Sequence, residues 1–432
     1  MRKHKLLPLF IALLLSCTTV LADNWAHWRG PTGNGTAPHA TPPLHFSDTQ
    51  NVKWKVPIPG RSSGSPAIWE TQVFVVTAVS TTDPATPGQD GRQRGVATPN
   101  LAFKVLCFDR ETGSLQWERT AITATPHQDT HVTNSFASAS PCTDGERVYA
   151  SFGSQGLFCY STTGNLVWKR TDFGPMRTRL SFGEGSSPTL EGNLLLHPWD
   201  HEGQSYLYAI DKLTGETVWR TARDEPTAWS TPLVVDHQGR KQVVLNGQNF
   251  VRSYDLKTGQ ELWRCAGQTE RPVSSAVFDG EHVIVGSGYR GAFVGAFKPD
   301  GHGDIGGTDK VAWTIERDAP DIGSPMLSED RLYFYKGKSG LLSCVDAKTG
   351  KFHYSAERLP GLVSTYASPV AADGRVYLTD RSGVIVVIED SPKLKILATS
   401  SMRETVDTTL APVDDQIFIR GENHLFCIES QE

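Results

Sequence analysis

Beyond its first 22 residues the chain lacks any apolar run near the ~18 to 20 residues that cross a bilayer as a helix, so no transmembrane span is expected. It also lacks clustered basic charge there: Arg92 to Arg94, Lys169-Arg170 and Arg240-Lys241 each hold just two cations, and in the whole chain 42 Lys and Arg stand against 47 Asp and Glu for a formal net charge of -5. A phosphate-binding surface needs clustered cations, so nucleic acid is excluded as a partner. Helical periodicity of useful length is missing, which argues against a helical repeat. There is no Gly-x-Ser-x-Gly elbow and no comparable nucleophile context, so no catalytic residue is assigned.

What is present is a repeated phrase. Asp-x-x-Thr-Gly-x-x-x-Trp runs from Asp109 to Trp117, from Asp211 to Trp219 and from Asp255 to Trp263, and Asp346-Ala347-Lys348-Thr349-Gly350 ends at Tyr354 instead. Between these lie Ser-Pro anchors at Pro66, Pro141, Pro188, Pro232, Pro325, Pro369 and Pro412, with Ala276 in the same slot after Ser275. The spacing is about 40 to 50 residues, the period of a four-stranded propeller blade. Within one period, Arg375 to Thr379 and Gly383 to Ile388 read as two β-branched strands around a tight turn.

Eight anchors predict an all-β, eight-bladed β-propeller of four-stranded antiparallel blades. The last repeat stops before a fourth strand, and Val52-Lys53-Trp54-Lys55-Val56 has that strand's character. The sequence therefore predicts closure by an N-terminal strand, which removes the open edges of a linear array. The expected organisation is a signal peptide over 1–22, an N-terminal extension over 23–50 and the propeller over 51–432. Deleting 51–56 is expected to cost far more stability than deleting 23–50.

Arg2, Lys3 and Lys5 precede an apolar run from Leu6 to Leu15, and Val20-Leu21-Ala22 supplies a small-residue cleavage site. An exported, periplasmic or extracellular protein is expected, with lipid anchoring at Cys17 as the lesser alternative. The Thr, Pro, Gly and Gln-rich insertion from Ser80 to Asn100 lengthens blade one and reads either as a lid over the channel mouth or as a solvated hairpin extension.

Six cysteines follow the signal segment, yet Cys107, Cys159, Cys344 and Cys427 share one repeat position, filled elsewhere by Ala209, Ser253 and Ala296. That slot asks for a small side chain against the neighbouring blade, which free Cys satisfies. Equivalent positions on different blades lie too far apart for a disulfide.

These phrases resemble the pyrroloquinoline-quinone-like (PQQ-like) β-propeller repeat, over about Val52 to Ile428. The resemblance implies a tryptophan-docking ring of Trp54, Trp117, Trp168, Trp219, Trp263 and Trp313, degenerate at Tyr354 and Leu397. It embraces quinoprotein dehydrogenases, which hold PQQ and calcium on the axis beside a disulfide of adjacent cysteines, and non-enzymatic members that resemble the propeller lipoprotein of the outer-membrane barrel-assembly machinery. No two cysteines here are adjacent. A monomeric binding or scaffolding module without a cofactor is therefore expected, engaging a protein partner in the cell envelope or a small ligand at the channel mouth; the alternative is a PQQ-dependent dehydrogenase or another cryptic redox enzyme.

The segments before each anchor should line that mouth, which nominates Arg61, Asn134, Glu184, Trp229, Arg271, Asp321, Tyr366 and Asp407 as a mixed polar ring, or as solvated loop residues. His127-x-Asp129-x-His131 would share one face in an extended strand, and His197-Pro198-Trp199-Asp200-His201 forms a second cluster. Neither matches a specific metal motif, and no metal ligand is assigned.

Overall fold

The computed structural model describes residues 24–81 and 99–431. The signal segment, Cys17 and most of the 80–100 insertion lie outside the described residues. No described helix is long and apolar enough to cross a membrane.

Eight sheets surround one axis. Blade one runs Ala67–Trp69, Gln72–Ser80, Leu101–Asp109 and Leu115–Ala124 from axis to rim. Blade eight takes Ala411–Val413, Gln416–Arg420 and His424–Glu429 from the end of the chain, and its outermost strand, Val52–Pro57, from the start. Val52–Pro57 pairs antiparallel with His424–Glu429, opposing Trp54 to Cys427, so the expected closure is present.

The Asp-x-x-Thr-Gly phrase is a turn with its own hydrogen bonds. Asp109 accepts from the Glu111 and Thr112 amides and from the Thr112 hydroxyl, which holds its carboxyl below the ordinary value. Gly113 then takes a positive φ of 70° directly against the Trp54 ring, where a Cβ would sit 2.6 Å from an indole carbon. Only glycine meets both conditions. The Trp54 indole donates to the Arg110 carbonyl on blade one, and Trp117, Trp168, Trp219 and Trp313 each donate in the same way to the next blade. Trp263 departs from this pattern: fully buried, it donates to Gln242 of its own blade and lies beside Gly303–Asp304, a short parallel strand that covers the blade's edge. In blade seven the position belongs to Ala398, opposite Val387, and not to Leu397, because a bulge shifts the register beyond that pair.

The Ser-Pro anchors also have a structural role. The backbone N–H of Ser65 donates to the Ser140 hydroxyl, Ser140 to Ser187, Ser187 to Thr231, Thr231 to Ser275, Ser275 to Ser324, Ser324 to Ser368, Ser368 to Thr409, and Thr409 back to Ser65. The result is a closed hydrogen-bonded ring around the axis. It also corrects the last anchor: Thr409-Leu410 occupies the Ser-Pro slot of blade eight, and Pro412 is the middle residue of the inner strand Ala411–Val413.

The slot cysteines face the fourth strand, with Cys107 opposite Trp117 and Cys159 opposite Trp168. All six described cysteines are free and buried. Burial pushes the thiols of Cys107, Cys159 and Cys344 up to about 12, so almost no thiolate exists at neutral pH. A maleimide is expected to modify none of the six in the native protein and all of them in guanidinium, read by intact mass; native labelling or cross-linking would contradict the slot packing.

The extension before Val52 does more than was expected of it. Residues 24–41 cross the end of the channel opposite the loops that precede the anchors. Trp25, fully buried, exchanges backbone hydrogen bonds with Ile68 of blade one. The buried Arg29 guanidinium donates to the carbonyls of Pro325 and Pro369 on blades six and seven, Asn34 exchanges hydrogen bonds with Phe278 of blade five, and Thr36–Ala37 adds a parallel strand to the inner edge of blade seven. Deleting the extension should therefore carry a stability cost of its own, though a smaller one than deleting the closing strand.

A blind axial well as candidate site

Because the leader seals one end, the channel is a well with a single mouth. Its floor is Trp28, whose indole donates to the Thr409 hydroxyl at 3.1 Å. Its lower wall includes Ser65, Ser140, Ser187, Thr231 and Thr409 of the hydrogen-bonded ring, and its cavity measures about 450 Å³.

At the mouth the loops entering blades two and three fold over the opening and bond to each other. Asn134 donates its amide to the Phe182 carbonyl, while its own oxygen accepts from the Ser135 N–H and the Ser138 hydroxyl. Trp229 donates to the Gly183 carbonyl and meets Phe182 edge to face. On the far side the Arg271 guanidinium lies 3.7 Å from the centre of the Tyr289 ring and 4.6 Å from that of Phe182. Arg381 forms a two-point ion pair with Asp407 and packs over Tyr366, and Tyr366 shares a hydrogen bond with Thr133 across the mouth. Asp321 stands between the fields of Lys338 and Arg271, and its burial nonetheless raises its carboxyl above the ordinary value.

Six of the eight nominated residues therefore meet around the well: Asn134, Trp229, Arg271, Asp321, Tyr366 and Asp407. Arg61 does not reach it; its exposed side chain bonds the Val132 carbonyl outside the lining. Glu184 turns away between blades, where the Ser154 N–H and hydroxyl take both its oxygens and burial raises its carboxyl. The sequence reading missed Trp28, Phe182, Tyr289 and Lys338. Tyr289 and Lys338 sit on the turns between second and third strands of blades five and six. Those turns end on the same face as the anchor loops, because alternate connections of an antiparallel blade share a side.

In the two histidine clusters the rings His127, His131 and His197 have separate surroundings. Residues 125–131 are irregular, His127 bonds the Met176 carbonyl and His131 the Thr133 hydroxyl. His197 is buried against Phe173 and Trp199, which pushes its imidazole down to about 3. Among the described residues no group of three His, Cys, Asp or Glu is placed to hold a metal ion. At the mouth Asp407 is committed to Arg381 and the Asn134 oxygen is taken twice, while Glu184 lies outside it on Ser154. That leaves Asp321 alone, between two cations, where a calcium ion would need six to eight oxygen ligands.

Residues 92–181, 160–303 and 251–432 match the family model described as outer membrane protein assembly factor BamB. No curated protein matches the sequence. Among solved structures, BamB from Moraxella catarrhalis is similar at 13% identity and a TM-score of 0.58, covering 87% of this chain and 98% of its own. A europium-containing methanol dehydrogenase is similar at 10% identity and 0.62, covering 93% and 90%. The quinohemoprotein alcohol dehydrogenase from Comamonas testosteroni matches at 10% identity and 0.62, covering 95% and 81%. At these identities the solved structures establish the shared propeller fold alone.

Proposed function

The chain belongs to the PQQ-like β-propeller family whose model carries the BamB description, and from that premise we propose that it is an exported, non-catalytic binding module of the cell envelope. Its working face is the mouth of the axial well, which receives a small ligand or a side chain of a protein partner. The family holds both scaffolds and quinone-dependent dehydrogenases, so the site has to discriminate between them. The observation that carries the reading is the commitment of the mouth's oxygens: Asp407 and Asn134 are bonded within the protein, which leaves the Asp321 carboxylate as the one nominated oxygen group at the mouth without such a bond.

The residues do not fit a calcium-bound quinone. Calcium lacks its oxygen set, and the cysteines stand singly on separate strands, all buried. The remaining well is apolar over much of its wall, with a few convergent polar groups, the make-up of a binding pocket.

With PQQ and calcium added to the purified protein, no dye-linked oxidation of alcohols or sugars is expected. Turnover that disappears in an Asp321→Ala variant would replace the binding reading with the enzyme reading.

A further inference from the structure

Deepening the binding reading and resting on it, the geometry points to a specific ligand chemistry for the well: a small monocarboxylate with a flat aromatic body. The charges come first. Five charged side chains are grouped at the mouth, and Arg381 and Asp407 cancel in their two-point pair. Arg271 and Lys338 are left facing Asp321, and among the described residues neither cation is in an ion pair; Asp321 is coupled to both only through space. The well therefore carries one uncompensated positive charge. One incoming carboxylate neutralises it, whereas a polyanion such as a tricarboxylate quinone would bring more negative charge than the site can offset.

Arg271 is built for this task. It is 5% exposed, and its guanidinium packs over Tyr289 and Phe182, so little rotamer freedom remains to be lost on binding. Its Nε is buried without any hydrogen-bond partner. Its backbone is held at a φ of 53°, costly for a residue with a side chain, and its N–H is fixed by the Gln248 carboxamide. A strained, stacked arginine with an unsatisfied donor is prepared for an acceptor that the protein itself does not supply. The body of the ligand has its own surfaces. Trp28 forms the floor and Phe182 and Trp229 an aromatic wall, and the cavity of about 450 Å³ lies within the ~300 to 1,000 Å³ usual for small-molecule pockets.

The test is calorimetric titration of the full mature protein with indole-3-acetate and 2-naphthoate, each beside its neutral amide. The acids are expected to bind roughly tenfold or more tightly than the amides, the scale of a charge-assisted hydrogen bond. Lys338→Gln alters an exposed side chain and should leave folding intact; it is expected to weaken the acids several-fold and leave the amides unchanged. Asp321→Asn should tighten the acids, a gain that a merely structural role for Asp321 would not produce. Equal affinity for acid and amide, no binding of either acid at millimolar concentration, or an Asp321→Asn variant without tighter binding would each overturn the assignment. These outcomes are independent of the dehydrogenase screen: turnover together with acid binding would sink the non-catalytic reading and keep the ligand class, whereas inert wells without turnover would do the reverse.

Discussion

A chain lacking residues 51–57 is expected to lose its cooperative unfolding transition altogether. Val52–Pro57 pairs with the strand from His424 to Ile428, and Trp54 carries the contact from blade eight to blade one through Arg110 and Gly113. Without it one blade loses its outer strand and the next loses its docking surface. Lys53 adds a two-sided ion pair with Glu111 and Glu429, but Glu111 is largely exposed, so this contributes little beside the strand. Deleting 24–41 should instead lower the melting temperature while preserving a single transition, because the ring stays closed but loses the buried Trp25 and Arg29. Truncating a core Trp alone costs about 3–5 kcal/mol. Near-ultraviolet circular dichroism melts of both truncations decide the matter, and a 51–57 deletion that melts like the full chain would show that the ring is held elsewhere.

The second large effect lies between blades three and four. Arg223 and Asp200 are 0% and 2% exposed and form a two-point ion pair, with the Tyr254 hydroxyl on the remaining guanidinium edge. Arg252 lies behind them, paired with Glu225, Asp224 and Glu261. Removing one partner of such a pair strands a desolvated charge, so Asp200→Ala is expected to cost about 3–5 kcal/mol. The double change Asp200→Leu with Arg223→Met removes both charges and should recover a large part of that loss. Urea denaturation of the unaltered protein, Asp200→Ala and the double variant measures it; a double variant no more stable than Asp200→Ala would mean that the stranded charge is not what the single change costs.

The scaffold was legible in the sequence wherever a local problem is solved the same way in several blades. Thr-Gly before Trp recurs because every blade must turn sharply against its neighbour's indole, and the small slot at Cys107 or Ala209 recurs because it opposes that indole. Serine before proline recurs because each inner strand must accept an amide from the blade before it. Repetition failed where one blade drifted: the proline at 412 resembled an anchor, but Thr409 carries the hydroxyl that the ring needs. The site was only partly legible, since it is assembled from two sets of loops and from a leader. Anchor spacing exposes one set and says nothing of Tyr289 or Lys338. Trp28 was hidden for another reason: its place depends on the combined shape of all eight inner edges, which no stretch of sequence encodes by itself. Glu184 shows the opposite error, a residue at the right distance from its anchor whose side chain is claimed by Ser154.

The ring of serines and threonines has no first member, but the chain that makes it has a last one. A polypeptide that emerges from its amino end delivers Ser65 early, and Ser65 cannot receive the Thr409 amide until nearly the whole sequence has arrived. Until then the molecule is an arc, with a bare face on blade one and another on blade seven, and the Val52–Pro57 strand waits for a partner not yet present. Both faces are made to pack against blade eight, and while blade eight is missing they stay open to a neighbouring chain. The final twenty or so residues thus act as a latch: they supply the inner strands of blade eight and close the ring on the strand that the chain's start left waiting.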